Sequence, residues 1–266
     1  MRSVQGPVNG IGTKKHMPRN ILLMTATITP LPGIPVLART DPKARLQDYQ
    51  TALAFYSGLL DGPFDAIVFA ENSNSDVSPL IAASSKRRHF DKIEFISFYG
   101  LDYEPKHGRG FGEFRLVDHA ISTSRLIRPD DVIWKVTGRY VVKNIEKVVD
   151  SRPPDSDLYC HLRNYPYRLC ELYLMAWTRR GYESFIKGIN TKLRNDIIPD
   201  KYTVEETLFR EAVDQSFGVI NIASRFKVLP VVSGVKGWDN CQFSNAWSLK
   251  IASKRLANVL IPFLWL

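Results

Sequence analysis

Cysteine is scarce in this 266-residue chain: Cys160, Cys170 and Cys241 are all there is. An odd, widely spaced set excludes a disulfide framework and lacks the spacing of a zinc site. It points to a reducing, cytoplasmic setting. No apolar run reaches the roughly 18 residues that a membrane span requires. The opening "MRSVQGPVNGIGTKKHMPRN" lacks the apolar stretch of a secretory signal, so residues 1–19 are read as a flexible leader. Internal repeats and low-complexity tracts are missing. So are a Gly-Lys-Ser/Thr phosphate loop and a dinucleotide glycine fingerprint directly after a strand. No RNP-like, helix-turn-helix or zinc motif is present either, which speaks against nucleic acid as the partner.

What is there fits a globular enzyme. Hydrophobic residues make up 44% and charged residues 24%, enough for the core of one large α/β domain. The net charge of +9 suits an anionic partner. It is spread along the chain, and the short runs Lys86-Arg87-Arg88 and Arg179-Arg180 read as solvated faces.

Apolar, β-rich segments alternate with helical ones. "NILLMTATI" from Asn20 is a first buried strand, followed by the breakers "TPLPGIP". Leu46, Tyr49, Leu53 and Tyr56 then recur at helical spacing, with Asp41 as N-cap and Pro42 as first helical residue. "FDAIVFAENSNSD", "KIEFISFYG", "DVIWKVTGRY" and "DLYCHLR" are further strands, and "SPLIAASSKR" is a short helix. Gly108, Gly110 and Gly112 form a loop that opens a helix at Glu113. After Arg168, "ELYLMAWTRRGYESFIKGINTKL" and "TVEETLFREAVDQS" read as helices, "FKVLPVVSGVKGWDN" as a late strand and loop, and "SLKIASKRLANVLIPFLWL" as a closing helix and tail. The alternation predicts a parallel or mixed sheet with helices on both faces. Residues 20–150 form a ligand-binding half, and 151–266 a more helical half of the same domain. The apolar tail is either core or a contact with a membrane surface or partner.

Ligands of open α/β sheets bind outside the carboxyl ends of the strands. Those ends carry Thr25, Thr27 and then Arg39; Glu71, Asn72 and Ser73; and Thr137, Gly138 and Arg139. Gly110 and Gly112 lie in the loop between the third and fourth strands. Such a rim offers amides and carboxylates for a base and ribose, and amides with cations for phosphates. Arg139 matches a diphosphate bidentately. Lys135 lies on the same face as Arg139 by the period of two, and serves either the ligand or a structural ion pair.

The segments "ENSNSD", "GRGFGEF" and "DDVIWKVTGRYVVKNI" resemble bacterial capsule, exopolysaccharide and lipopolysaccharide glycosyltransferases with a K-[IV]-[TS]-G-R-Y motif. The resemblance runs from Ile21 to Asn144, with a looser echo in "LPVVSGVKGWDN". It implies a GT-A-like, Rossmann-related fold, a nucleotide-sugar donor, and a polysaccharide or lipid-linked glycan acceptor. A lipid-linked acceptor brings a peripheral contact with the inner membrane. Enzymes of that fold place Asp-x-Asp after the fourth strand to hold a divalent metal. Here "TGRY" stands in that place, and "DSD" at Asp155–Asp157 is displaced. The expectation is metal-free transfer, with Arg139 and Lys135 carrying the charge.

An inverting transfer needs a base. Glu205, Glu206, Glu113 and Asp239 compete for the role, although Thr203 and Glu206 also fit a capping box. Tyr165, Tyr167, Tyr173, Trp177 and Trp238 offer aromatic faces for an acceptor sugar, or pack in the core. The alternatives are a nucleotidyl or phosphosugar transferase and a basic nucleic-acid-binding protein.

Overall fold

A computed structural model describes residues 18–197 and 204–243. Most of the expected leader, the cap residue Thr203 and the closing helix and tail lie outside the described residues. Arg19, the last of the expected leader, is anchored: its guanidinium grips Asp131 at 2.9–3.0 Å and donates to the Leu126 carbonyl.

The first half winds as the alternation predicts. Strand β1 (Asn20–Ala26) leads to helix α1 (Pro42–Ser57), β2 (Ala66–Glu71), α2 (Ser78–Ser85), β3 (Ile93–Ser97), α3 (Gly108–Thr123) and β4 (Val132–Thr137). Asp41 caps α1 by accepting from the Lys43 amide at 3.1 Å, with Pro42 opening the helix. The second half adds β5 (Val141–Val142), α4 (Ile145–Asp150), β6 (Leu158–Arg163), β7 (Leu169–Trp177), the turn α5 (Arg179–Gly181), α6 (Val204–Ser216), β8 (Ile222–Ala223) and β9 (Val232–Ser233).

Seven strands form one sheet in the order β3-β2-β1-β4-β7-β6-β8, and β5 pairs with β9 in a small ribbon. Strands β1 to β4 are mutually parallel, and β7 runs antiparallel to both β4 and β6. Successive strands progress from β1 to β3 on one side of β1. The chain then crosses back to place β4 on the other side. Helices α1 and α4 therefore share a core with one face of the sheet, through Tyr49, Leu53, Tyr56 and Val148. Helices α3 and α6 cover the opposite face through Phe114, Val117 and Phe209.

Two expectations are corrected. The first part of the segment beginning at Glu171 belongs to strand β7, and only its remainder, Arg179–Gly181, Tyr182–Ile186 and Ile189–Lys192, is helical, in short turns. Its Glu, Leu, Met and Ala residues favour helix in isolation, but an interior strand covered on both faces reads as one apolar run without a period of two. The glycine loop is also absent as a loop: Gly110 and Gly112 lie inside α3, which starts at Gly108. Both are there for close packing. A β-carbon on Gly110 would stand 2.5 Å from the Glu205 β-carbon, and one on Gly112 would collide with the Tyr103 hydroxyl.

Candidate active site

Strand order reverses between β1 and β4, and at such a switch point the two flanking helices diverge and leave a crevice at the carboxyl edge. A cavity of about 490 Å³ lies there, within the size range of small-molecule sites. The end of β1 supplies Thr25 and Thr27, and the end of β4 supplies Thr137, Arg139 and Tyr140. Arg45 and Tyr49 enter from α1, Arg109 and Glu113 from α3, and Glu205 and Glu206 from α6. Because β7 runs antiparallel, its amino end reaches the same edge and brings Glu171 and Tyr173. The "KGW" of the late segment brings Lys236 and Trp238.

One end of the cavity is cationic. Arg139 is only 6% exposed and donates to the Val235 carbonyl at 2.9 Å. Its nearest carboxylate, Asp48, stands 3.9 Å away and is already held bidentately by Arg39 at 3.0 Å. Arg45 is as deeply buried and donates to the Thr27 and Arg39 carbonyls at 2.6 and 2.8 Å and to the Tyr49 hydroxyl at 3.2 Å. None of these partners is a carboxylate. Burial, with Arg139 close by, lowers the Arg45 pKa. Three guanidiniums around one carboxylate leave two positive charges unneutralised beside the cavity. Sequence reading missed Arg45, because within a helix it looks like a solvated cation. Its position one turn after a strand-end loop was the only available signal.

Lys135 and Arg139 do not share a face. The strand ends at Thr137, and the turn through Gly138 breaks the alternation. A β-carbon on Gly138 would lie 2.7 Å from the Thr25 carbonyl oxygen, so the turn presses against β1. Lys135 is fully buried on the α3 side. Its ammonium meets Glu113 Oε1 at 2.6 Å and donates to the Leu172 carbonyl at 2.5 Å. The same Glu113 oxygen accepts from Thr25 at 2.6 Å and Thr137 at 3.2 Å. Burial works to raise the Glu113 pKa, but Lys135 and the two hydroxyls outweigh it and hold the carboxyl below its ordinary value. Lys135 does not line the cavity, whereas Glu113, its side chain 22% exposed, does.

The end of β2 is likewise closed on itself. Buried Glu71 accepts from the amides of Ile28, Ser73 and Ser75 at 2.9–3.1 Å. Asn72 accepts from Thr27 Oγ1 at 2.6 Å and donates to the Gly112 carbonyl at 3.4 Å, while Ser73 accepts from the Thr29 amide. These side chains brace the β1 and β2 loops and stand apart from the cavity, as do Arg39, Gly110 and Gly138.

The other end carries the carboxylates. Glu205, 3% exposed, is ion-paired with Arg109. Arg163 pairs with Glu171 at 2.7 Å. Burial and the neighbouring Glu205 push the Glu206 carboxyl up to about 8. Of the four candidate bases, Glu113, Glu205 and Glu206 reach the cavity. Asp239 does not: it is exposed and tied to Lys236 at 3.0 Å and to the Cys241 amide. Asp155 and Asp157 sit at the opposite edge of the sheet, where Asn221 and Thr178 bind them to the start of β6. Tyr167, Tyr173 and Trp238 line the cavity, with Trp238 43% exposed, whereas Trp177 is core and Tyr165 lies outside the lining.

No protein-family model matches the chain, and no curated protein matches it. Solved structures share parts of its shape. A 4-diphosphocytidyl-2C-methyl-D-erythritol synthase from Anaerococcus prevotii is 8% identical, with 90% of this chain and 96% of that one covered and a TM-score of 0.44. The galactosyltransferase LgtC, solved with donor and acceptor sugar analogs, is 12% identical over 88% of this chain and 95% of that one, at 0.46. The glycosyltransferase GlyE of Streptococcus pneumoniae is 8% identical over 78% of this chain and 45% of that one, at 0.42. A synthase stands beside two sugar-transferring enzymes at these low values, so the likeness does not fix a reaction. Among the described residues no helix is long and apolar enough to cross a membrane.

Proposed function

We propose that the chain is a GT-A-like glycosyltransferase. It moves a sugar from a nucleotide-sugar donor to a hydroxyl of a glycan or lipid-linked glycan acceptor. The observation that carries this reading is the division of one switch-point cavity into a cationic end, at Arg45 and Arg139, and a carboxylate end, at Glu205 and Glu206. Glycosyl transfer requires those two functions: charge stabilisation on the leaving diphosphate and a proton acceptor at the incoming hydroxyl.

In this mechanism the acceptor oxygen attacks the anomeric carbon. The bond from that carbon to the diphosphate oxygen breaks, and the nucleoside diphosphate leaves with the electron pair. Arg45 and Arg139, fixed by their hydrogen bonds before the donor arrives, meet the growing negative charge. The acceptor proton passes to Glu206, whose pKa near 8 sits close to a working pH, where a base is most effective. Inversion at the anomeric carbon follows from a single displacement. Two fixed cations match the double charge of a pyrophosphate, which supports transfer without a divalent metal.

The test is calorimetry with UDP and GDP followed by turnover with the matching donor. One nucleotide family should bind. Arg139→Ala should weaken it about 10- to 100-fold, equivalent to about 1.4–2.8 kcal/mol, and transfer should persist in chelator. Unchanged affinity and turnover in Arg139→Ala would end the proposal. Activity that vanishes in chelator and returns with Mg²⁺ or Mn²⁺ would replace the metal-free mechanism with a metal-assisted one.

A further inference from the structure

The carboxylate end of the cavity contains more than a base. Four buried side-chain atoms on residues of its wall find no hydrogen-bond partner among the described residues: Arg109 Nε, Arg163 Nε, Glu205 Oε2 and Glu206 Oε2. Two are donors, and two are carboxyl oxygens. Buried polar atoms in folded proteins are nearly always satisfied, so a cluster of orphans around one cavity marks the place of a ligand's own polar groups.

The charge balance here differs from that at the cationic end. Each guanidinium has its own carboxylate, Arg109 with Glu205 and Arg163 with Glu171 at 2.7 Å. Glu206 is held largely protonated at neutral pH by burial and by Glu205. The subsite therefore carries no net charge. A carboxylate or phosphate, which only accepts, would meet the two arginine donors but give no hydrogen to the Glu205 and Glu206 oxygens, and would stand against the charged Glu171 and Glu205. An ammonium group, which only donates, would leave the arginines unmet. A hydroxyl both donates and accepts. Neighbouring hydroxyls of one sugar ring meet a guanidinium edge and a carboxyl oxygen together. Trp238 at the rim and Tyr173 in the wall add apolar ring faces of the kind that cover a sugar's C–H surface.

We infer that Arg109, Arg163, Glu171, Glu205 and Glu206 form an acceptor subsite selective for a neutral polyhydroxylated sugar over one bearing a carboxylate or phosphate. This deepens the glycosyltransferase reading and rests on it for the word acceptor. The binding site itself stands or falls separately. Arg163 and Glu171 come from β6 and β7 at the far side of the cavity from the end of β1. Their pairing fixes both side chains before any sugar binds.

The experiment is saturation-transfer NMR on the intact protein saturated with the nucleoside diphosphate it binds, using matched pairs of methyl glycosides. Methyl glucoside is set against methyl glucuronide, methyl galactoside against methyl galacturonide, and lactose against sialyllactose. The neutral member should give the stronger transfer in at least one pair, by 10-fold or more in affinity. Glu171→Gln and Arg163→Gln should each reduce that binding about 10-fold while leaving nucleoside diphosphate affinity, measured by calorimetry, unchanged. Preference for the acidic members, equal binding within every pair, or no sugar binding while nucleoside diphosphate binds would each overturn the subsite. Failure of every nucleoside diphosphate to bind would instead remove the function proposed above. In that case the same pairs, run on the protein alone, still decide the subsite.

Discussion

Glu206 has two pH dependences of opposite sign. Its carboxyl stands at about 8 in the folded protein against an ordinary 4.5, raised by burial and by Glu205. The folded state thus holds this proton more tightly than the unfolded one. The stability it contributes is full below about pH 4.5 and is lost as pH rises to about 8. A base must be free of its proton, so turnover should climb across the same upper range and level off above it. Glu205, Arg109 and Glu171 are the charged neighbours that set this window. A pH series of kcat and of urea midpoints should show both slopes, and Glu206→Gln should abolish both. A wild-type kcat that is flat from pH 6 to 9 would remove Glu206 as the base. At Lys135 the issue is stability. Removing its ammonium leaves Glu113 at the cavity wall without its countercharge, and loss of one partner from a buried pair costs about 3–5 kcal/mol. Lys135→Ala should show that loss in a denaturant melt. A loss under about 1 kcal/mol would mean the pair is solvated.

Helix α3 shows how one element sets up the site. Its first turns carry Gly108 because Asn195 presses against it, Gly112 because Tyr103 does, and Gly110 because Glu205 of α6 does. That contact lets α6 bring Glu205 within reach of Arg109 and turn Glu206 toward the cavity. Gly110→Ala places a methyl group 2.5 Å from the Glu205 β-carbon, and the helices must separate. The expected outcome is a loss of about 1–3 kcal/mol from overpacking, with turnover falling more than nucleoside diphosphate affinity, since Arg45 and Arg139 stand on other elements. Equal losses in both would show that α3 and α6 serve the donor end as well. Strand β7 makes a related point. In the sequence it looks helical, and Glu171 was not among the candidate site residues. As an antiparallel strand beside β4 it delivers Glu171 and Tyr173 to the carboxyl edge.

Across the whole molecule, the position of the cavity follows from strand order. Binding at the switch point between β1 and β4 should slow hydrogen exchange at residues 25–29 and 137–140 and at the start of α1. The edge strands β3 and β8, far from the reversal, should be unaffected. Protection centred on Asp155–Asp157 would place the ligand at the opposite edge and contradict the site. The charge of +9 adds little to this argument, since the cations that matter are two buried arginines and not a surface patch.

Much of this was legible in the chain itself. Local signals are strong where a residue's role depends on its neighbours in sequence. Asp41 and Pro42 start α1, the buried runs of β1, β2 and β4 are continuous, and Arg139 follows a strand end. Glu205 and Glu206 were likewise readable as candidate bases. Only the tertiary structure separated Lys135 from Arg139, spent Glu71 and Asn72 on loop bracing, matched Arg163 to Glu171, and set Arg45 beside Arg139 at the cationic end of the cavity. Sequence determines what each segment can donate, accept or bury. Whether a charged group is already satisfied depends on which partner lies beside it. That is set by strand order and by helices arriving from opposite faces of the sheet.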